Sequence, residues 1–227
     1  MTVILAGLYG NGDGAIVVSD KMRTVKHPLT NDEFETENEA INKTKKLNDS
    51  VYIACSGSDD FWGEILDKVE EQIHPTDKPR KVRAIIEKEY RKQHMRWLEA
   101  TVLVPLGFEN LKDYNARANI ELPPARIEQI DRQLRETLGT GELVLIAQEN
   151  DRYMLYGLQD PGLFKQLMSG FAVCGSGAKS ALQTVVTNYE MGMHKKQLEE
   201  LLLKAKKLSE QDKGVGKLTN ILYIPEV

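Results

Sequence analysis

The opening twenty residues restrict the possible folds more than any other stretch. Two apolar runs, Thr2 to Tyr9 and Ala15 to Asp20, flank Gly10-Asn11-Gly12-Asp13-Gly14. Asn-Gly and Asp-Gly in tandem tolerate positive φ, so the segment reads as a β-hairpin. Its return strand brings Asp20 back beside the start of the first strand, where Thr2 stands directly behind Met1. Trimming of Met1 would put a hydroxyl and a free α-amine on one residue, a nucleophile with a built-in base. A free α-amine ordinarily titrates near about 7.7–8.0, and a nearby cation lowers that value. Taken alone, Thr2 reads first as a small residue opening a strand, and Asp20 serves equally well as a turn-former.

At 227 residues the chain is long enough for one sizeable domain with a real core. A net charge of -4, with both signs well mixed, leaves no basic footprint for nucleic acid. No apolar run approaches the length of a membrane span, and no charged-then-apolar signal peptide opens the chain, so neither membrane insertion nor export is expected. Cys55 and Cys174 sit singly in apolar runs. Two such cysteines make neither a disulfide framework nor a metal site, and a reducing cytoplasm is the expected location. His27, His74, His94 and His194 have no ligand spacing and most of them read as solvated helix or loop residues, so no metal or cofactor is expected.

Residues Lys21 to Glu39 are polar and acidic and read as an exposed loop. Ile41 to Ser50 reads as a strand and turn, and Val51 to Cys55 as a strand buried on both faces. Ser58 is placed to cap a helix from about Asp59 to Gln72, with an acidic first turn. A second helix is expected from about Arg80 to Leu98. Glu99 to Gly141 fits no clear element apart from a helix over Ala125 to Leu138, announced by Pro123-Pro124. Strands are expected at Leu143–Gln148, Tyr153–Tyr156, Phe171–Cys174 and Lys217–Ile224, with helices from Ala178 to about Met193 and from Lys195 to Leu208. Gly175-Ser176-Gly177 does not match the pattern of a phosphate loop, which needs a lysine directly after its last glycine. Strands joined mostly by turns, with helices in two pairs, predict an α+β protein in which two antiparallel sheets are covered by helices on both sides.

Several of these stretches, in order along the chain, resemble the proteasome-type N-terminal nucleophile (Ntn) hydrolases, the family of proteasome β-subunits and related peptidase ring proteins. They are Thr2 with Gly14–Asp20, Thr24, Asn42-Lys43 with Val51–Ser58, Ala172–Gly177 and Gln211–Gly216. The resemblance implies a four-layer αββα sandwich spanning 1–227, with an unusual insertion at about 99–141. It implies a threonine-type peptidase in which Thr2 supplies Oγ as nucleophile and its amine as proton acceptor. Lys43 would stand beside Oγ, Asp20 would hold Lys43 charged, the Gly57 amide would donate to the oxyanion, and Ser176 and Asp212 would orient the amine. Thr24 would pair through its backbone with a bound peptide, while Arg23, Cys55 and Asp59 would line a mixed, somewhat polar specificity pocket. The implied partners are a peptide or unfolded protein as substrate, further copies in a homo-oligomeric ring, and an unfoldase ATPase.

The sequence departs from the family pattern in three places. Val215 replaces a serine expected three residues after Asp212, the loop Val25 to Ala40 is longer than usual, and Glu99 to Gly141 has no counterpart in the family core. With Met1 in place the amine is blocked, so activity hinges on its removal, which the small second residue favours. A non-catalytic ring or scaffold subunit, and a peptide ligase using the same acyl-enzyme, remain open beside the peptidase.

Overall fold

The computed structural model describes residues 2–26, 33–136, 141–159 and 161–225. Strands β1 (Ile4–Tyr9) and β2 (Gly14–Asp20) form the expected hairpin in continuous antiparallel register, from Ile4 opposite Ser19 to Tyr9 opposite Gly14. The turn uses positive φ at Gly10, Asn11 and Gly12, as its composition requires. Lys21 to Glu39, expected as a loop, instead contains a second hairpin, β3 (Met22–Lys26) and β4 (Glu33–Glu37), with Arg23 opposite Thr36 and Thr24 opposite Glu35. Residues 34–40 are exposed, so no buried face announces the strand in the sequence.

Next come β5 (Thr44–Asn48), β6 (Val51–Gly57), α1 (Asp59–Glu70) and α2 (Pro79–Leu98). Ser58 Oγ accepts from the Phe61 amide and caps α1, and Asp59 and Asp60 complement the helix dipole. A π-type turn (Glu99–Leu103), a 3-10 turn (Val104–Leu106), α3 (Leu111–Glu121) and α4 (Pro124–Glu136) follow. The segment that was hard to place is therefore helical. Val102, Leu103, Phe108, Tyr114, Ala118 and Ile130 gather there into an apolar cluster of their own. Strands β7 (Gly141–Glu149), β8 (Arg152–Gln159), β9 (Leu163–Gln166) and β10 (Phe171–Cys174) lead to α5 (Ala178–Asn188), α6 (Lys195–Ser209) and β11 (Thr219–Ile224). β9 was not expected, and α5 ends five residues early; the expected turn at Asp160 lies partly outside the described residues. His94 is buried beside Tyr90 and Trp97 rather than solvated, whereas His74 and His194 are exposed as expected; His27 lies outside the described residues.

The strands form a four-stranded sheet, ordered β10-β1-β2-β11, and a five-stranded sheet, ordered β5-β6-β7-β8-β9. Alternation along each strand sends successive side chains to opposite layers. Ile4, Ala6, Ala15 and Val17 meet Tyr52, Ala54, Val144 and Ile146 between the sheets. Val3, Leu5, Ile16 and Val18 face Ala181 and Val185 of α5 and Leu198 and Leu202 of α6. On the other side Val51, Ile53, Leu143 and Leu145 face Phe61, Ile65 and Val69 of α1 and Val82 and Ile86 of α2. Each fully buried branched side chain contributes about 1.5–3 kcal/mol, which explains why β1, β2 and β6 read as unbroken apolar runs. The order of layers is helix, sheet, sheet, helix: the α+β, four-layer αββα sandwich that the sequence predicts. Among the described residues no helix is long and apolar enough to cross a membrane.

Candidate active site

The two sheets meet at an edge where the start of β1, the end of β2, the approach to β5 and the loop after β10 converge. Thr2 lies there, largely buried, two residues before β1 begins at Ile4. Its carbonyl oxygen accepts from the Gly177 amide at 3.1 Å and its nitrogen donates to Ser176 Oγ at 3.0 Å. Gly175 permits this approach. Its φ is +90°, and a Cβ there would stand 2.3 Å from the Thr2 carbonyl oxygen.

Asp20, the last residue of β2, is fully buried. Oδ1 accepts from the Val3 amide at 2.9 Å and from Lys43 Nζ at 2.8 Å. Oδ2 accepts from the Met22 amide at 3.1 Å and from the Gly216 amide at 3.2 Å. A buried carboxylate with two donors on each oxygen is fully satisfied and held in one orientation. Lys43 Nζ also donates to Thr2 Oγ1 at 2.5 Å. Burial pulls the Lys43 ammonium below its ordinary value of 10.5, and Asp20 opposes that shift.

The backbone around Lys43 is fixed on both sides. Asn42 Oδ1 accepts from the Thr44 amide (3.0 Å), from Thr44 Oγ1 (2.8 Å) and from Asn220 Nδ2 of β11 (3.1 Å). The Lys43 carbonyl accepts from the Cys55 amide at 3.0 Å. Lys45 and Lys46, its neighbours, point elsewhere: Lys45 pairs with Glu70 of α1, and Lys46 lies over the Tyr52 ring.

A cleft of about 1380 Å³ opens over this edge, and Thr2, Lys43, Gly57, Ser176, Arg23, Thr24, Cys55 and Asp59 all line it. Nine of the ten candidate residues are thereby placed together, since Asp20 lies directly beneath Lys43. Arg23 Nε and Asp59 Oδ2 form an exposed ion pair at 2.6 Å, tying β3 to the first turn of α1 across the cleft. Burial pushes the Cys55 and Cys174 thiols well up, so neither supplies a thiolate near neutrality and Thr2 Oγ is the candidate nucleophile.

Asp212 stands apart from that arrangement. Oδ1 accepts from Ser180 Oγ at 2.9 Å, and Oδ2 is buried with no partner among the described residues. The loop that carries it reaches the site through the Gly216 amide on Asp20, a backbone donor that no residue type could announce. Val215, in place of the expected serine, packs among the apolar side chains beneath α5 and α6 and contributes no polar group.

Two further cleft residues were not foreseen. Trp62 Nε1 donates to the Ser56 carbonyl at 2.7 Å. Glu142 Oε2 accepts from the Gly175 amide at 2.6 Å and, more weakly, from Ser56 Oγ at 3.5 Å. No motif in the sequence marks Trp62, within α1, or Glu142, the second residue of β7. Among the described residues no cluster of histidine, cysteine, aspartate or glutamate could hold a metal ion.

In sequence, no protein-family profile and no curated protein matches the chain. Among solved structures, eukaryotic HslV from Trypanosoma brucei superposes on it with a TM-score of 0.54 at 14% sequence identity. The match covers 97% of this chain and 98% of that one, so it includes both sheets and both helical layers. The chain thus has the fold of the proteasome-type Ntn hydrolases.

Proposed function

We propose that the protein is a threonine-type peptidase whose nucleophile is Thr2, exposed by removal of Met1. The observation that carries this is Lys43 Nζ donating at once to Thr2 Oγ1 and to Asp20 Oδ1, which joins three segments distant in the chain. The ammonium beside Oγ1 favours the alkoxide and lowers the affinity of the neighbouring α-amine for a proton.

In the first half-reaction the amine takes the proton from Thr2 Oγ as that oxygen attacks the peptide carbonyl. The Gly57 amide donates to the oxyanion, a class of contact whose removal costs about 2.7–4 kcal/mol elsewhere. The C–N bond then breaks, the amine returns its proton to the departing amino group, and Thr2 carries an ester. Water, activated by the same amine, attacks the ester, releases the carboxylate and restores the hydroxyl. Ser176 holds the Thr2 nitrogen in place through both steps, and Asp212 acts at one remove. Thr24 presents its backbone to the peptide, and Arg23, Cys55 and Asp59 shape the pocket for the side chain before the scissile bond.

The likeness to HslV in fold supports extending the proposal to a homo-oligomeric ring whose clefts face an enclosed chamber in the cytoplasm, fed by an unfoldase ATPase with peptide or unfolded protein. The test is Thr2→Ala in Met1-processed material. Peptide turnover and labelling by a threonine-reactive electrophile should both disappear; unchanged turnover rejects the proposal. Native mass spectrometry of the labelled protein reports Met1 removal and ring size in the same measurement.

A further inference from the structure

We propose that Trp62 is a positioning residue for the oxyanion donor: its indole N–H clamps the Ser56–Gly57 peptide so that the Gly57 amide is aimed at the nucleophile. Trp62 Nε1 donates to the Ser56 carbonyl oxygen at 2.7 Å in a buried bond. That oxygen and the Gly57 N–H belong to one planar peptide and point in opposite directions. Fixing the oxygen therefore fixes the aim of the N–H, and polarising the carbonyl strengthens the same peptide as a donor.

Strand alternation gives the direction of that aim. The Cys55 amide donates to the Lys43 carbonyl, so the amides of Cys55 and, two residues on, Gly57 leave β6 on the edge occupied by Lys43. β5 begins only at Thr44, whose partner on β6 is Ala54. No β5 residue is therefore paired with Gly57, and its edge opens into the cleft that holds Thr2 and Lys43.

The clamp is built into its surroundings from three sides. Gly141, opposite Gly57 on β7, leaves room for it: a Cβ there would stand 2.3 Å from both the Ser56 oxygen and Trp62 Nε1. The indole is 3% exposed and held between Phe61, edge-on at 5.5 Å, and Tyr90, at 5.8 Å. Beyond Ser56, Glu142 links the Ser56 hydroxyl to the Gly175 amide, and the next residue, Ser176, holds the Thr2 nitrogen. The oxyanion side and the amine side are thus braced to each other.

The clamp depends on the threonine-peptidase proposal, so the experiment separates the two. Trp62→Phe keeps an aromatic ring and removes the N–H. In Met1-processed protein, kcat should fall by about tenfold or more with KM within about twofold, because the oxyanion contact strengthens only in the transition state. A peptide boronate, whose adduct places an anionic oxygen at the Gly57 amide, should lose affinity by a similar factor. Thr2 should still be labelled, but more slowly. Wild-type kcat and boronate affinity in a folded Trp62→Phe protein would overturn the clamp while leaving the peptidase intact. Failure of wild-type protein to be labelled at Thr2 would overturn the peptidase itself. Should Trp62→Phe not fold, benzothienylalanine at position 62 keeps the bicyclic shape and replaces only N–H by sulfur, with the same two outcomes.

Discussion

Lys43 Nζ stands 2.8 Å from Asp20 Oδ1, a cation on the approach to β5 paired with a fully buried carboxylate at the end of β2. The two segments belong to different sheets, so the pair fastens the sheets together as well as orienting the ammonium. Replacing Lys43 by Met leaves Asp20 bonded to three backbone amides, so the protein should fold and lose activity. Replacing Asp20 by Asn turns an amide NH2 towards donors and leaves Lys43 buried without a counter-ion. Removing either partner of a buried pair costs roughly 3–5 kcal/mol, but only Asp20→Asn also sets an NH2 against backbone donors. In urea unfolding, Asp20→Asn should therefore be the more damaging substitution, although both should abolish peptide turnover. Equal stability losses would show that the carboxylate's backbone partners contribute little.

The pH dependence of activity should follow Lys43. Burial lowers its pKa from 10.5, while Asp20 and, more weakly, Asp59 raise it. Below the shifted pKa the ammonium is charged and assists Thr2 Oγ; above it that charge is lost. The alkaline limb of kcat/KM should therefore fall below pH 10.5. Asp59→Asn removes one of the raising influences without touching Thr2, Lys43 or Asp20, so it should move the limb to lower pH. The accompanying loss of the exposed Arg23–Asp59 pair should change stability by no more than about 1 kcal/mol. A limb that moved upward, or stayed fixed, would separate Lys43 from the alkaline transition.

What could be read from the sequence divides along physical lines. The β1–β2 hairpin was legible because its turn needs positive φ and its strands are apolar on both faces. The same logic exposed β6 and the Ser58-capped α1. β4 was not legible: its residues 34–37 lie exposed in an acidic stretch where no buried side gives a period of two. α3 buries only Tyr114 and Ala118, too little for a helical stripe, whereas the neighbouring α4 declared itself through Pro123-Pro124. In the site, side-chain chemistry at Thr2, Asp20, Lys43 and Ser176 could be inferred by resemblance. Donors supplied by the backbone, such as Gly216 on Asp20, carry no residue-type signal. Side-chain contacts outside the resembling stretches' known roles, such as Trp62 on Ser56, have no motif to betray them.

The amine side of the site separates Ser176 from Asp212. Ser176 Oγ accepts from the Thr2 nitrogen at 3.0 Å and donates back to the Thr2 carbonyl at 3.4 Å. Among the described residues the Asp212 side chain bonds only to Ser180 of α5, and its second oxygen is buried without a partner. Once Met1 is removed, Ser176→Ala should leave the amine poorly aligned and lower kcat by about tenfold or more, as loss of a group that orients a general base does. Asp212→Asn should retain most of kcat, because the amide oxygen still accepts from Ser180 and no bond to Thr2 is lost. Its side-chain nitrogen would enter the space of the unpartnered oxygen. Steady-state kinetics on both variants decides the matter: an Asp212→Asn loss as deep as that of Ser176→Ala would place the carboxylate in direct control of the amine, in an arrangement that forms only after Met1 has gone.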